Sequence, residues 1–337
     1  MQIYWRDGSI TGSVDGKRVV AGLGFFDGVH LGHQAILGRV RDLAATMNGV
    51  PMVVTFDRHP FSVIRPKSVP PLLTSRAERR HYMWDLGMEA IVELCFDKKL
   101  ANLEAEEFAS GILARKLCVV AVVAGDDFSF GYRGRGGTEL LRKQGHEWGI
   151  ATIEIVDSVL VGPEKVSSTR IRGLLQAGIV EQAAVLLDRP YRLAGLVVEG
   201  EGRGRKLGFP TANLVIAPDR LIPQDGVYAV TVRQLIEDDE IGYSAKQGEY
   251  LGVLSISNKP TFAGTARTVE VHVLDQDTNY YGKQLEISFH RRIRPIQRFV
   301  DAEELQKQVA LDIENTRKLA LEHCLTRGEE IYSATAL

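Results

Sequence analysis

The chain has 337 residues, 45% of them hydrophobic and 25% charged, with a formal net charge of −2. That balance suits a soluble protein large enough for two domains, and it provides no global field for a polyanion, so a nucleic-acid role is not expected. No stretch approaches the roughly 20 uninterrupted apolar residues of a membrane helix, and the first residues lack the basic and apolar runs of a secretory signal, so a cytoplasmic protein is expected.

From residue 19 to about 187, short apolar runs alternate with stretches of helical periodicity, the pattern of a parallel sheet with crossover helices. Strands are expected at 19–23, 52–56, 91–94, 119–124 and 152–156, and helices at 34–47, 76–86, 104–116 and 139–145. Residues 1–187 therefore read as an open α/β domain. After Asp188-Arg-Pro-Tyr191 the runs become β-rich, at 191–198, 226–232, 250–256, 268–274 and 285–290, with turn residues between them. Residues 188–337 read as a small antiparallel barrel. Asp301-Ala-Glu-Glu304 opens a terminal helix to about 323, with Asp301 as N-cap and Glu304 as its capping-box partner. Cys95, Cys118 and Cys324 stand far apart with no CxxC pair, which argues against a disulfide framework or a zinc site.

The first chemically informative stretch is Gly24-Phe-Phe-Asp-Gly-Val-His30-Leu-Gly-His33, between an expected strand and an expected helix. In an open α/β sheet that junction is where ligands bind. Gly28 and Gly32 allow close backbone approach, the helix start favours anions, and His30 and His33 can face one phosphate. Standing alone, the histidines could equally cap the helix. A second helix start, Ser167-Ser-Thr-Arg-Ile-Arg172, offers hydroxyls, amides and guanidinium groups suited to phosphate. In the C-terminal half, Gly200-Glu-Gly-Arg-Gly-Arg-Lys-Leu-Gly-Phe-Pro-Thr-Ala-Asn213 is a glycine- and arginine-rich loop without the Gly-Lys-Ser/Thr of a Walker A motif. Composition leaves open whether it wraps phosphate or is a basic hairpin.

Three motifs, Gly24 to Gln34, Gly125-Asp-Asp-Phe-Ser-Phe-Gly131 and Ser167 to Arg172, resemble the adenylyltransferase module of bacterial bifunctional riboflavin kinase/FAD synthetases, a Rossmann-like member of the HxGH nucleotidyltransferases. Gly202 to Asn213, Gly226-Val-Tyr228, Lys259-Pro-Thr-Phe262, Val269-Glu-Val-His272 and Ile293-Arg-Pro295 ahead of Phe299 are similar, in order, to the riboflavin kinase module. The resemblance implies phosphorylation of riboflavin to FMN in the C-terminal half and adenylation of FMN to FAD in the N-terminal half. ATP, riboflavin and FMN are the implied partners and Mg²⁺ the implied companion of ATP. Flavin is substrate and product, with no redox role.

Residue by residue, the resemblance puts His30 and His33 at the reacting phosphate of ATP. Gly24, Phe26, Gly28, Gly32, Ser168, Thr169 and Arg170 would bind the nucleotide of the first step. Gly202, Arg205, Gly208, Thr211 and Asn213 would bind that of the second, with Thr211 and Asn213 also on the metal. Glu270 is the implied base of the kinase, and Phe56, Pro60, Asp127, Phe128 and Arg294 are the implied flavin contacts. Two departures stand out: Phe56-Asp-Arg-His-Pro60 has Arg58 where the family pattern has proline, and Gly252-Val-Leu-Ser-Ile-Ser-Asn258 replaces a stretch commonly like GVANIG. Rival readings are a nucleotidyltransferase for another phosphorylated small molecule, which leaves Thr211, Asn213 and Glu270 without a task, and a non-enzymatic flavin-sensing regulator or a nucleic-acid binder whose barrel presents Arg203, Arg205 and Lys206 to phosphates.

Overall fold

The run Val19-Val-Ala-Gly-Leu23 is buried at every position, as befits a parallel strand covered on both faces. In the computed structural model, which describes residues 1–14, 16–200, 204, 208–238, 242–245, 248–261 and 264–323, this run is an interior strand of a mixed sheet. Along the chain the first unit comprises β1 (Gln2–Trp5), β2 (Ile10–Thr11), β3 (Val19–Leu23), α1 (Leu31–Met47), β4 (Val50–Phe56), α2 (Phe61–Ile64), α3 (Arg76–Asp85), β5 (Ala90–Leu94) and α4 (Lys98–Ala101). After a π-helical segment (Glu107–Lys116) it continues through β6 (Val119–Gly125), β7 (Ser129–Phe130), β8 (Gly136–Gly137), α5 (Thr138–Gln144), β9 (Thr152–Val156), β10 (Leu160–Val161) and β11 (Glu164–Lys165).

The sheet order is β2-β1-β5-β4-β3-β6-β9, parallel except where β1 pairs antiparallel with β5 and β2. Strand order reverses between β3 and β6, and ligands in such sheets bind at the carboxyl ends of the strands flanking that reversal. The expected strands are all present, and β1 and β2 add an edge too short to read from periodicity. The expected helix at 104–116 is wound as a π-helix through most of its length, with Leu117 N donating to Ile112 O.

The second compact unit starts at Ser168 rather than after residue 187. It contains α6 (Ser168–Gln176), α7 (Val180–Leu187), β12 (Tyr191–Val198), β13 (Ala212–Ile216), β14 (Gly226–Asp238), β15 (Gly242–Ala245), β16 (Tyr250–Thr261), β17 (Gly264–Val273), β18 (Gln284–Arg294) and α8 (Ala302–His323). Helices α6 and α7 group with the barrel because specific bonds hold them there. Gln224 N donates to Leu175 O at 3.0 Å, and Glu181 accepts from Arg292 N at 3.3 Å.

Strands β14, β16, β17, β13, β12 and β18 pair antiparallel in that order, and a β14–β18 pairing closes the ring, with β15 appended to β14. This is the expected antiparallel barrel, with β13 as a strand the turn-rich sequence around it conceals. Its interior is filled by residues such as Val269, Val271, Leu254, Ile256, Tyr228 and Phe289. The terminal helix forms as expected, but its capping box is offset. Asp301 Oδ1 accepts from Glu304 N at 2.9 Å, whereas Glu304 Oε2 returns to Val300 N rather than to Asp301 N. Among the described residues, no helix is long and apolar enough to cross a membrane.

Candidate active sites

In the first unit, the loop from Gly24 to His30 leaves β3 and enters α1 through a strained path. Phe26 and Val29 have φ of 58° and 43°, and Gly28 has φ of 90°. A positive φ at a β-branched residue is costly and persists only where surrounding contacts enforce it. Asp27, 3% exposed, supplies that enforcement. Its Oδ1 accepts from Leu73 N at 3.0 Å, Thr74 N at 3.1 Å and Thr74 Oγ1 at 3.1 Å, and Gly28 N donates to Thr74 Oγ1 at 3.0 Å. The loop is thus tied to the segment that starts α3.

His30 is the N-cap of α1, its Nδ1 accepting from His33 N at 3.3 Å. Capping and ligand binding are therefore compatible rather than competing uses of this ring. With Nδ1 an acceptor, the neutral imidazole carries its proton on Nε2 and can donate there. The two imidazoles stack with centroids 3.6 Å apart, and Phe26 meets His33 edge-on at 5.2 Å. Phe26 is 1% exposed, so its ring is packing for the histidines, and any contact it makes with nucleotide falls to its backbone. A Cβ on Gly32 would come within 3.3 Å of the His30 ring, which explains a small residue between the histidines.

At the end of β4, Phe56 packs edge-to-face on Phe96 at 4.9 Å, and Asp57 accepts from Phe96 N while also pairing with Arg58. The arginine standing where the family pattern has proline is therefore committed to its neighbour. Pro60 begins the short α2. Past β6, Asp127 pairs with Lys165 at 2.8 Å, and Asp126 bonds both Ser158 and Lys165, so its carboxyl lies below the usual range, chiefly through the Ser158 hydroxyl. Phe128 stacks on Phe130 at 5.6 Å. Gly131, with φ of 73°, lies where a Cβ would sit 2.7 Å from the Ala105 backbone, so this loop admits no side chain there.

A residue the sequence reading passed over is Arg79 on α3, 2% exposed. Its Nη2 donates to Phe56 O at 2.9 Å, and its guanidinium carbon lies 4.4 Å from the centroid of Phe25. Burial pulls its pKa down to about 10. The available signal is positional, because Arg79 occupies the same helix face as buried Met83, four residues on.

In the second unit, the barrel register brings together residues far apart in sequence. Asn213 on β13 lies directly across from Glu270 on β17, and Glu270 directly across from Ser255 on β16. Opposed residues in antiparallel strands share a face with Cβ atoms about 5 Å apart, so Asn213, Glu270 and Ser255 form one polar row. The face is opposite the barrel core, since Val269 and Val271 on either side of Glu270 are buried. Asn213 is packed against backbone: a Cβ on Gly200 would sit 2.1 Å from its Nδ2. Thr211 and Gly208 lie in the preceding turn, which His272 holds through Nδ1 to Pro210 O at 2.7 Å and an edge contact with Phe209. Ser255 lies in the 252–258 stretch, the second of the two departures from the family pattern.

Arg294 is held by the terminal helix. Its Nε and Nη2 bond the buried Asp312 of α8 at 3.0 and 2.8 Å. Ser168, Thr169 and Arg170 occupy the first turn of α6. Gly202 and Arg205, and with them Arg203 and Lys206, lie outside the described residues.

Comparison with known proteins assigns a family to each half. A family model described as FAD synthetase matches residues 13–170, and one described as riboflavin kinase matches 187–320. The bifunctional riboflavin kinase/FMN adenylyltransferase of Escherichia coli K12 is 34% identical over 86% of this chain and 89% of its own length. The same enzyme of Pseudomonas fluorescens is 36% identical over 89% and 93%. A crystal structure from Streptococcus pneumoniae described as a macrolide-efflux protein superposes with a TM-score of 0.79 at 30% identity, over 89% of this chain and 94% of that one. The chain belongs to the bifunctional riboflavin kinase/FMN adenylyltransferase family, with the adenylyltransferase in its N-terminal half and the kinase in its C-terminal half.

Proposed function

We propose that the row Asn213–Glu270–Ser255 is the reacting edge of the kinase and the His30–His33 stack that of the adenylyltransferase. The observation that carries the first assignment is the register itself, which sets a carboxylate beside an amide that is wedged against Gly200. The ribityl hydroxyl of riboflavin is neutral and a weak nucleophile, so a carboxylate in hydrogen-bond reach must take its proton as the oxygen attacks the γ-phosphorus of ATP. Glu270 has that role. ADP leaves as the bond to the bridging oxygen breaks, and FMN is the product.

Thr211 and Asn213 supply a hydroxyl and an amide oxygen, hard donors of the kind Mg²⁺ accepts alongside phosphate oxygens. When bound, such an ion would supply neutralisation of phosphate charge. Holding Thr211 and Asn213 in register falls to Gly200 and to His272 beneath the Pro210 turn.

In the N-terminal half the attacking group is the FMN phosphate, already anionic, so no base is required. Its oxygen attacks the α-phosphorus of ATP, and pyrophosphate departs. His30 donates from Nε2, and His33, stacked on it, adds a second donor where charge builds up. Gly24, Phe26, Gly28 and Gly32 offer backbone to the same nucleotide. Ser168, Thr169 and Arg170 present hydroxyl, amide and guanidinium donors fitted to a polyphosphate. Phe56, Pro60, Asp127 and Phe128 are assigned to the flavin of this step and Arg294 to that of the kinase, on likeness to the family; Gly202, Arg205 and Gly208 join the kinase nucleotide on the same ground. A cytoplasmic enzyme without a nucleic-acid partner is the reading that goes with these small-molecule substrates.

Incubation of the chain with riboflavin, ATP and Mg²⁺, followed by chromatography of the flavins, tests the whole assignment. FMN appears first and FAD later. Adenylation of a different phosphorylated acceptor, with riboflavin and FMN untouched, would overturn it.

A further inference from the structure

Arg79 is a buried cation that the adenylyl-transfer chemistry does not use directly. It is 2% exposed, and among the described residues its hydrogen-bond acceptor is Phe56 O, with no carboxylate in ion-pairing distance. The two acidic groups whose fields reach it are already engaged: Asp27 by Leu73 and Thr74, and Glu93 by Arg76 and Arg80. An arginine kept inside a protein without a paired anion calls for a specific use.

What it touches supplies one. Phe25, under the guanidinium, lies in the loop that leads to His30, and Phe56, whose carbonyl it holds, is the last residue of β4, where the Phe56-Asp-Arg-His-Pro60 loop departs. The two loops also meet where Thr55 Oγ1 donates to Phe25 O at 3.2 Å and where the Phe25 ring meets His59 edge-on at 4.9 Å. The helix that carries Arg79 begins at the segment that fixes Asp27. One helix therefore grips the histidine loop at Asp27 and Phe25 and the β4 loop at Phe56. The planar guanidinium suits this double grip, since one edge bonds a carbonyl while its face lies on a ring.

We propose that Arg79 is a positioning residue for FMN adenylylation, clamping the histidine loop to the end of β4 and lending that edge a positive charge that the anionic flavin phosphate offsets. The inference rests on adenylyl transfer taking place at the His30–His33 loop, which substitution of those histidines tests separately. Two variants of the full chain separate clamp from charge. Arg79→Lys keeps the charge without the planar fork, and Arg79→Met keeps most of the volume without the charge. For each, kcat and KM for FMN and for ATP are measured in FAD formation, FMN formation from riboflavin is measured on the same preparation, and the folded fraction is read from thermal unfolding.

Arg79→Lys lowers the kcat of FAD formation about tenfold with KM for FMN within about twofold of the parent, because the charge stays and the alignment goes. Arg79→Met lowers kcat at least as much and raises KM for FMN about tenfold or more, with KM for ATP moving less. FMN formation from riboflavin stays within about twofold in both. Parent-like kcat and KM in folded Arg79→Lys overturns the proposal. So does a loss in either variant that vanishes when activity is divided by the folded fraction, since stability alone would then account for it.

Discussion

The two halves hold nucleotide chemistry by different means. In the N-terminal half the proposed reacting groups are neighbours in sequence, three residues apart on one loop and helix start, and their geometry depends on a loop forced through positive φ at Phe26 and Val29 and pinned from outside by Asp27. In the C-terminal half Asn213, Ser255 and Glu270 come together only because three strands are in register, and the backbone there is ordinary extended chain. A local site stores strain and depends on its supports. A site written across a barrel depends on strand pairing and tolerates less change in register than in loop detail.

Because the proposed sites share no reacting residue, each half is expected to be silenced alone. Replacing His30 and His33 together with alanine lowers FAD formation from supplied FMN by about 10²–10³-fold, the usual cost of losing donors at a charged transition state, and leaves FMN formation intact. Glu270→Ala does the converse, lowering FMN formation by at least about 10²-fold while FAD formation from FMN persists. Chromatography of the flavins reads both. A joint loss of the two activities in folded protein would break the comparison, for it would mean a single site.

The sequence exposed the first site more fully than the second for the same reason. Gly24 to His33 is one continuous motif between a buried strand and a helix, so its place at the sheet's carboxyl edge follows from periodicity and the rule for open α/β sheets. That Glu270 faces Asn213 depends on pairing residues 57 positions apart (270 − 213), which periodicity cannot supply; only likeness to the family joined them. Ser255 was visible as a departure without a location. Arg79 was hidden because an arginine in the string Arg76-Ala-Glu-Arg-Arg80 reads as a solvated helix face, and its burial follows from tertiary packing on Phe25 and β4. Strand β13 is concealed because Ala212-Asn-Leu-Val-Ile216 is short and follows a glycine-rich loop, and the 104–116 segment has helical periodicity with no cue to its wider winding.

The kinase half also depends on how α8 is fastened to the barrel. Asp312, 1% exposed, holds Arg294 through both carboxylate oxygens, and Gln308 adds a bond at 3.0 Å. Asp312→Ala leaves a half-buried guanidinium without its anion and lowers stability by about 3 kcal/mol, near the lower end for breaking such a pair, measured as a drop in the denaturation midpoint. FAD formation from FMN persists below that transition if the halves are as separable as their sites. A concurrent rise in KM for riboflavin would sharpen the picture by showing that Arg294 serves the flavin as well as the helix.

The smallest effect concerns the start of the same helix. Asp301 caps α8 by accepting from Glu304 N, and Glu304 answers by accepting from Val300 N, one residue before the cap. The reciprocal bond therefore fixes the chain entering the helix more than the cap residue itself. Asp301→Ala removes one bond and leaves the other, at a cost of about 1 kcal/mol, while Glu304→Ala frees the Val300 amide, which is solvent-exposed and can bond water instead. Asp301→Ala is accordingly the more destabilising of the two in chemical denaturation, and neither moves the rate of either reaction. An equal or larger effect from Glu304→Ala would mean that the offset bond, rather than the cap, sets where the helix begins.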